Sequence, residues 1–136
     1  MRRFFADGRA RLIEDALTLP ILLLVTVAML NVFLYGVASV SAANAAEYAA
    51  RRASVAQANP AGVARAAAQQ RLGRLPLGAH FAVGVRTGTH RGQTDMVIVT
   101  YAVPNWFRGL AAMFGVSTPA VLRGHAVSYF RHEGWR

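Results

Sequence analysis

At 136 residues the chain has room for one compact domain with or without an appendage, which leaves no space for a multidomain enzyme. Hydrophobic residues make up 54% and charged residues only 15%. With 15 basic residues, all arginine, against 6 acidic ones, the net charge is +9, and a chain this apolar is not a disordered one. The absence of cysteine excludes a disulfide framework and a thiolate metal site.

In chain order, the first element is apolar and long. No charge falls between Asp15 and Glu47, and Ala16 to Val40 (ALTLPILLLVTVAMLNVFLYGVASV) is rich in Leu, Val and Ile. As a helix that stretch measures about 37 Å, enough to cross about 30 Å of hydrocarbon with some tilt. It is too long for the apolar core of a cleavable secretory signal, about 7–15 residues, so it reads as a retained anchor. Arg2, Arg3, Arg9 and Arg11 precede the span, while Arg51, Arg52 and Arg65 follow at greater distance. The positive-inside rule then puts the N-terminus in the cytoplasm and everything after about residue 45 outside.

Three residues in or beside the span exceed what an anchor needs. Pro20 removes the hydrogen bond to the carbonyl of Ala16 and is expected to bend the first turn. Asn31, near mid-membrane, offers its amide either to a partner across a helix interface or to its own backbone. Glu14 at the cytoplasmic edge is either solvated or paired with a cation on a neighbouring chain. Further on, Ala38, Ala42, Ala46, Ala50 and Ser54 recur every fourth position, with Ala45, Ala49 and Ala53 alongside. A smooth ridge of this kind suits lateral packing against another helix. The competing explanation is an alanine-rich composition with high helix propensity and no partner. Glu47 and Arg51 have the favourable order for a helical ion pair and carry the helix on to about residue 57.

Asn59-Pro60 interrupts it, with Asn59 suited to a cap and Pro60 to the first position of a second helix ending near Leu72. From His80 the hydrophobic period becomes two. Phe81, Val83, Val85 and Thr87 define one strand, and Met96 to Val103 a second, joined by the polar GTHRGQ connection at 88–93. After Pro104, Asn105 is placed to cap a short helix with Trp106, Phe107, Leu110, Met113 and Phe114 on one side and Gly115 as its stop. That aromatic face either covers the sheet, the reading the small sheet favours, or rests on the bilayer surface. A third strand runs from about Ala120 to Arg131. The expected fold is α+β: a long N-terminal transmembrane helix continuing outside the membrane, a short second helix, and a small three-stranded antiparallel sheet with a short aromatic helix.

Chemistry is sparse in this pattern. His80, His90, His125 and His132 lack metal-ligand spacing, and no carboxylate cluster accompanies them. No G-x-S-x-G elbow, dinucleotide fingerprint or P-loop lysine is present, so no enzymatic activity, cofactor or metal is expected. Trp106, Phe107 and Tyr129 amid basic charge raise a membrane-tethered nucleic-acid binder, but the arginines are scattered and a domain beyond the membrane meets no nucleic acid by default.

The run Arg11 to Leu24 (RLIEDALTLPILLL) resembles the N-terminal signature of TadE-like proteins, minor pilins or pseudopilins of the tight-adherence, Flp-type pilus machinery. The alanine-rich helix with paired arginines (Ala49 to Ala53), the hairpin, the aromatic helix after Pro104 and the closing Arg131-His132-Glu133 are similar too, so the resemblance covers nearly the whole chain. It implies a pilin-like fold divided into a basic leader at 1–8, a helix at 9–58, a short helix and linker at 59–78, and an exported domain at 79–136. It also implies a prepilin peptidase cutting between Gly8 and Arg9, with Glu14 compensating the free amine of a neighbouring subunit inside an apolar bundle. Function would then be assembly into a type IV-like pilus. Glu14, Pro20, Asn31, Ala38, Ala42, Ala46 and Ala50 would serve subunit packing, and the partners would be other pilin-like subunits and the pilus assembly platform. The expected location is the bacterial inner membrane, single-pass, with the C-terminal domain periplasmic or on a surface pilus. The alternative is a membrane-anchored accessory or adaptor of an envelope secretion complex that never enters a filament.

Overall fold

A computed structural model of the chain describes residues 2–73, 78–87 and 94–131, with the helical backbone alone for 2–15 and 17. The architecture is α+β. Helix α1 (Arg2–Ser54) is 53 residues long and runs unbroken through Pro20; α2 (Pro60–Leu72) follows. Strands β1 (His80–Arg86) and β2 (Thr94–Pro104) come next, then α3 (Phe107–Met113) and β3 (Val121–Arg131). The three strands form one antiparallel sheet in the order β1-β2-β3. The connection expected at 88–93, and the histidines at 90 and 132, lie outside the described residues.

Local chemistry explains the element ends. Asn59 adopts the left-handed conformation at φ 49°, which asparagine tolerates, and its Oδ1 accepts the Gly62 amide at 3.0 Å, while Pro60 occupies the first turn of α2. At the end of α3, Gly115 has φ 73°. Its amide donates to the Ala112 carbonyl and that of Val116 to the Ala111 carbonyl, the paired bonds of a Schellman ending.

Alternation in the strands decides which face is covered. Phe81, Val83 and Val85 of β1, Val97, Val99, Tyr101 and Val103 of β2, and Ala126 and Phe130 of β3 share the face against the core. The cover is α1, which lies along β2 and β3, with α2 packed beside it and reaching β1. Along this contact α1 presents Ala38, Ala42, Ala45, Ala46, Ala49, Ala50 and Ala53, all buried, and α2 presents Ala64, Ala67 and Ala68. Small side chains let the helix backbones come close to each other and to the sheet. Tyr48 tightens the helix pair from the rim, with the guanidinium carbons of Arg52 and Arg71 at 5.7 and 5.5 Å from its ring centroid.

Where α1 meets the middle of the sheet, the packing depends on one glycine. Tyr35 and Tyr101 stack tilted with centroids 5.4 Å apart, and Tyr101 pairs across the strands with Gly124. A Cβ at Gly124 would collide with the Tyr101 ring, whereas one at Gly84 would meet only ordinary van der Waals contacts. Gly124→Ala should therefore destabilise the fold by about 1–3 kcal/mol as overpacking. Gly84→Ala should be close to neutral. Chemical unfolding of the full chain in detergent, followed by tyrosine near-ultraviolet circular dichroism, checks both.

Candidate functional site

The two halves of α1 have different surroundings. Leu19, Ile21, Leu22, Leu23, Val25, Met29 and Leu30 are all exposed, so this segment is an apolar rod standing clear of the domain. Among the described residues α1 is the one helix long and apolar enough to cross a membrane, by the length and composition of Thr18–Ser54. A bare apolar surface on this scale marks a face for lipid or for another protein.

Asn31 closes that rod. It is only 5% exposed. Its Nδ2 donates to Oδ1 of Asn105, and its Oδ1 accepts the Trp106 amide at 3.3 Å. Asn105 in turn donates its Nδ2 to the Pro119 carbonyl at 2.8 Å and its backbone amide to the Ala120 carbonyl at 3.0 Å. The two asparagines thus join α1 to the start of the β2–β3 connection and hold that connection's two ends together. One turn on, the Tyr35 hydroxyl reaches the Arg123 carbonyl at 3.5 Å, continuing the seam towards the buried alanines.

Several sequence expectations change in this light. Asn31 neither faces another chain at mid-membrane nor bonds its own backbone; it is bonded within the chain to the α+β domain. The domain therefore begins nine residues before Val40, the expected end of the span. Ala38, Ala42, Ala46 and Ala50 are not free for a neighbouring subunit, because the sheet and α2 of the same chain already occupy the ridge. Asn105 does not cap α3 through its side chain, which is committed to Asn31 and Pro119; Trp106 holds the cap position without a side-chain bond. The aromatic face of α3 does not cover the sheet, a task α1 performs. Ala111 is its one buried residue, its main contact is α1, and Trp106, Met113 and Phe114 are 53, 80 and 59% exposed.

Pro20 is exposed on the bare half. Gly8, Arg9 and Glu14 fall on helical backbone whose side chains are outside the described residues, as are the leader and charge-compensation expectations attached to them. The Asn31–Asn105 link was missed because the partners are 74 residues apart. The one available signal was a lone amide in an apolar helix, whose partner sequence spacing cannot name.

A concave feature with titratable side chains is an open groove at the sheet end nearest Asn31, lined by His80, Thr100, Tyr101, Arg123 and His125 among others. The register places His80, Ala102 and Arg123 in one row across the strands, and Ala82, Thr100 and His125 in the next. The described residues contain no group of three His, Asp or Glu able to hold a metal ion. The groove offers imidazole and guanidinium groups on an uncovered sheet face, with neither a nucleophile–base pair nor a carboxylate partner.

No family model, no curated protein and no solved structure matches the chain. What the fold defines is a class of architecture: a long helix bare and apolar over 18–30, carrying a small α+β domain on the part that follows.

The Asn31 link is testable. Asn31→Ala leaves Oδ1 of Asn105 and the Trp106 amide without their partner, a loss of about 1–3 kcal/mol. Hydrogen exchange on the full chain in micelles should then show the Trp106 amide exchanging faster, by a larger factor than that of Val99 in the sheet.

Proposed function

We propose that the chain is a structural assembly subunit of pilin type: a minor pilin or pseudopilin of a tight-adherence, type IV-like pilus, held in the bacterial inner membrane with its N-terminus cytoplasmic and its domain beyond the membrane. The observation that carries this reading is the division of α1. A domain seated wholly on the second half leaves the first half free on nearly every side, and a rod of that kind can stay in lipid or pack among similar rods without rearranging the domain. The TadE-like resemblance of Arg11 to Leu24 supplies the particular class.

Lateral packing in this reading uses large side chains. Leu19, Leu22, Leu23, Met29, Val32 and Phe33 are the residues offered to neighbours, while the small-residue ridge serves the subunit's own core. Glu14 keeps its proposed part, pairing with a neighbour's cation at the amino-terminal end of the bundle, where low dielectric makes an unpaired charge costly. Prepilin peptidase and the assembly platform are the corresponding partners.

One observation favours the second reading, a membrane-anchored accessory of an envelope secretion complex. With that ridge consumed inside the chain, the described residues of the bare segment, 18–30, carry mostly large side chains and few of the small ones that bring helices into close lateral contact. Shearing cells and purifying the filaments separates the two: the pilin reading expects the chain in the filament fraction, and retention of all of it in the inner membrane assigns it to the accessory class. Within the first reading, Glu14→Gln should reduce the amount recovered in filaments; unchanged piliation would remove the carboxylate from assembly.

A further inference from the structure

The reading of α1 as a membrane span leads to a question of depth. The uncharged helix ahead of Asn31 runs from Ala16 to Leu30. It measures about 22 Å, against about 30 Å of hydrocarbon. With Asp15 kept among the headgroups on one side, the level of Asn31 falls about 8 Å inside the apolar layer on the other. Something attached at that level must tolerate lipid.

What is attached there is apolar on its outer side. The β2–β3 connection leaves the domain at the end beside Asn31, whereas Ser128 to Arg131, at the far end of β3, line a groove with Glu47, Ala50, Arg51 and Ser54. From this near end the connection exposes Trp106, Met113, Phe114 and Val116. Around the helix at the same level, Val32 is 72% exposed and Phe33 is also exposed, so the apolar surface continues on the side of α1 that the domain does not cover. Along the Asn31 side, Leu24, Val27 and Ala28 are only half-exposed, unlike most residues of the bare rod. Charge is consistent with this. From Met96 to Arg131 there is no acidic residue, and Arg108 on α3 and Arg123 on β3 are exposed.

We propose that α3 and the turn after it form a platform lying in the anionic phospholipid interface, with Trp106, Met113, Phe114 and Val116 in the upper acyl region and Arg108 among the phosphates. This rests on the reading of α1 as a span and adds to it a second, peripheral membrane contact held in place by the Asn31–Asn105 link. The required immersion matches the depth, about 5–10 Å, at which interfacial amphipathic helices lie, and tryptophan with arginine is the pairing that favours such a boundary. The platform would also set the tilt and rotation of the domain relative to the bilayer, because one helix passing through a membrane leaves rotation about its own axis free.

The absence of native cysteine makes the test direct. Full-length Leu23→Cys, Met113→Cys and Val127→Cys chains are spin-labelled separately and placed in nanodiscs of phosphatidylethanolamine and phosphatidylglycerol, and collision rates with oxygen and with a water-soluble nickel chelate are measured. The expected result is a label at position 23 deep in lipid, one at 113 at the acyl–headgroup boundary with several-fold less nickel contact than at 127, and one at 127 in water. A label at 113 as open to nickel as that at 127, with 23 still deep, overturns the platform and leaves the span standing. Shielding of 113 from both oxygen and nickel also overturns it and identifies a protein contact instead. Nickel contact at 23 overturns the span, and the platform with it.

Discussion

A single polar clasp organises this molecule. Asn31 sits in the middle of an apolar helix, and its amide is satisfied only because Asn105 and the Trp106 amide come to meet it. A buried amide without partners would be costly, so the position of Asn31 sets where along α1 the domain begins. Before it the helix is bare; from it onward, one face is covered. Asn105 passes the constraint on by tying the end of β2 to the start of β3, so the clasp, the connection between them and the seat of the sheet are one linked feature.

Packing beyond the clasp depends on side-chain size. Seven buried alanines on α1 meet three on α2, and the sheet fits closely because the core-facing residues of β3 include Gly124 and Ala126 opposite the bulk of Tyr101 and Val99. The same composition that reads as an interface between subunits therefore serves an interface within one. A pattern of small residues shows that a helix is approached closely and is silent on whose backbone approaches. That distinction matters for the proposed assembly, in which contacts between subunits would be carried by the large apolar side chains of the bare segment and by the exposed side of α1 at Val32, Phe33 and Val40.

The elements were largely legible because each is written locally. The period of two in Phe81 to Val85 and Met96 to Val103, the Asn59-Pro60 start of α2 and the Gly115 stop of α3 all depend on neighbours a few residues away, and all lie where periodicity and cap chemistry put them. What escaped is long-range. Nothing within a few residues of Asn31 announces Asn105, and the length of an uncharged run overstates a span when a domain folds back along its second half. The aromatic side of α3 was ambiguous for a related reason: an apolar stripe demands cover but does not name it, and the cover for the sheet came from α1.

In the proposed reading α1 changes surroundings at Asn31, from lipid to the protein's own domain. Single cysteines placed along α1 in the otherwise cysteine-free chain, probed with a membrane-impermeant maleimide on sealed inverted and right-side-out vesicles, test it most directly. Positions 19, 22, 23, 25 and 29 should stay unreactive from both sides until the membrane is dissolved, while positions 44, 47 and 51 should react from the external side alone. Ready reaction of position 23 in intact vesicles, at a rate like that of position 51, would contradict it.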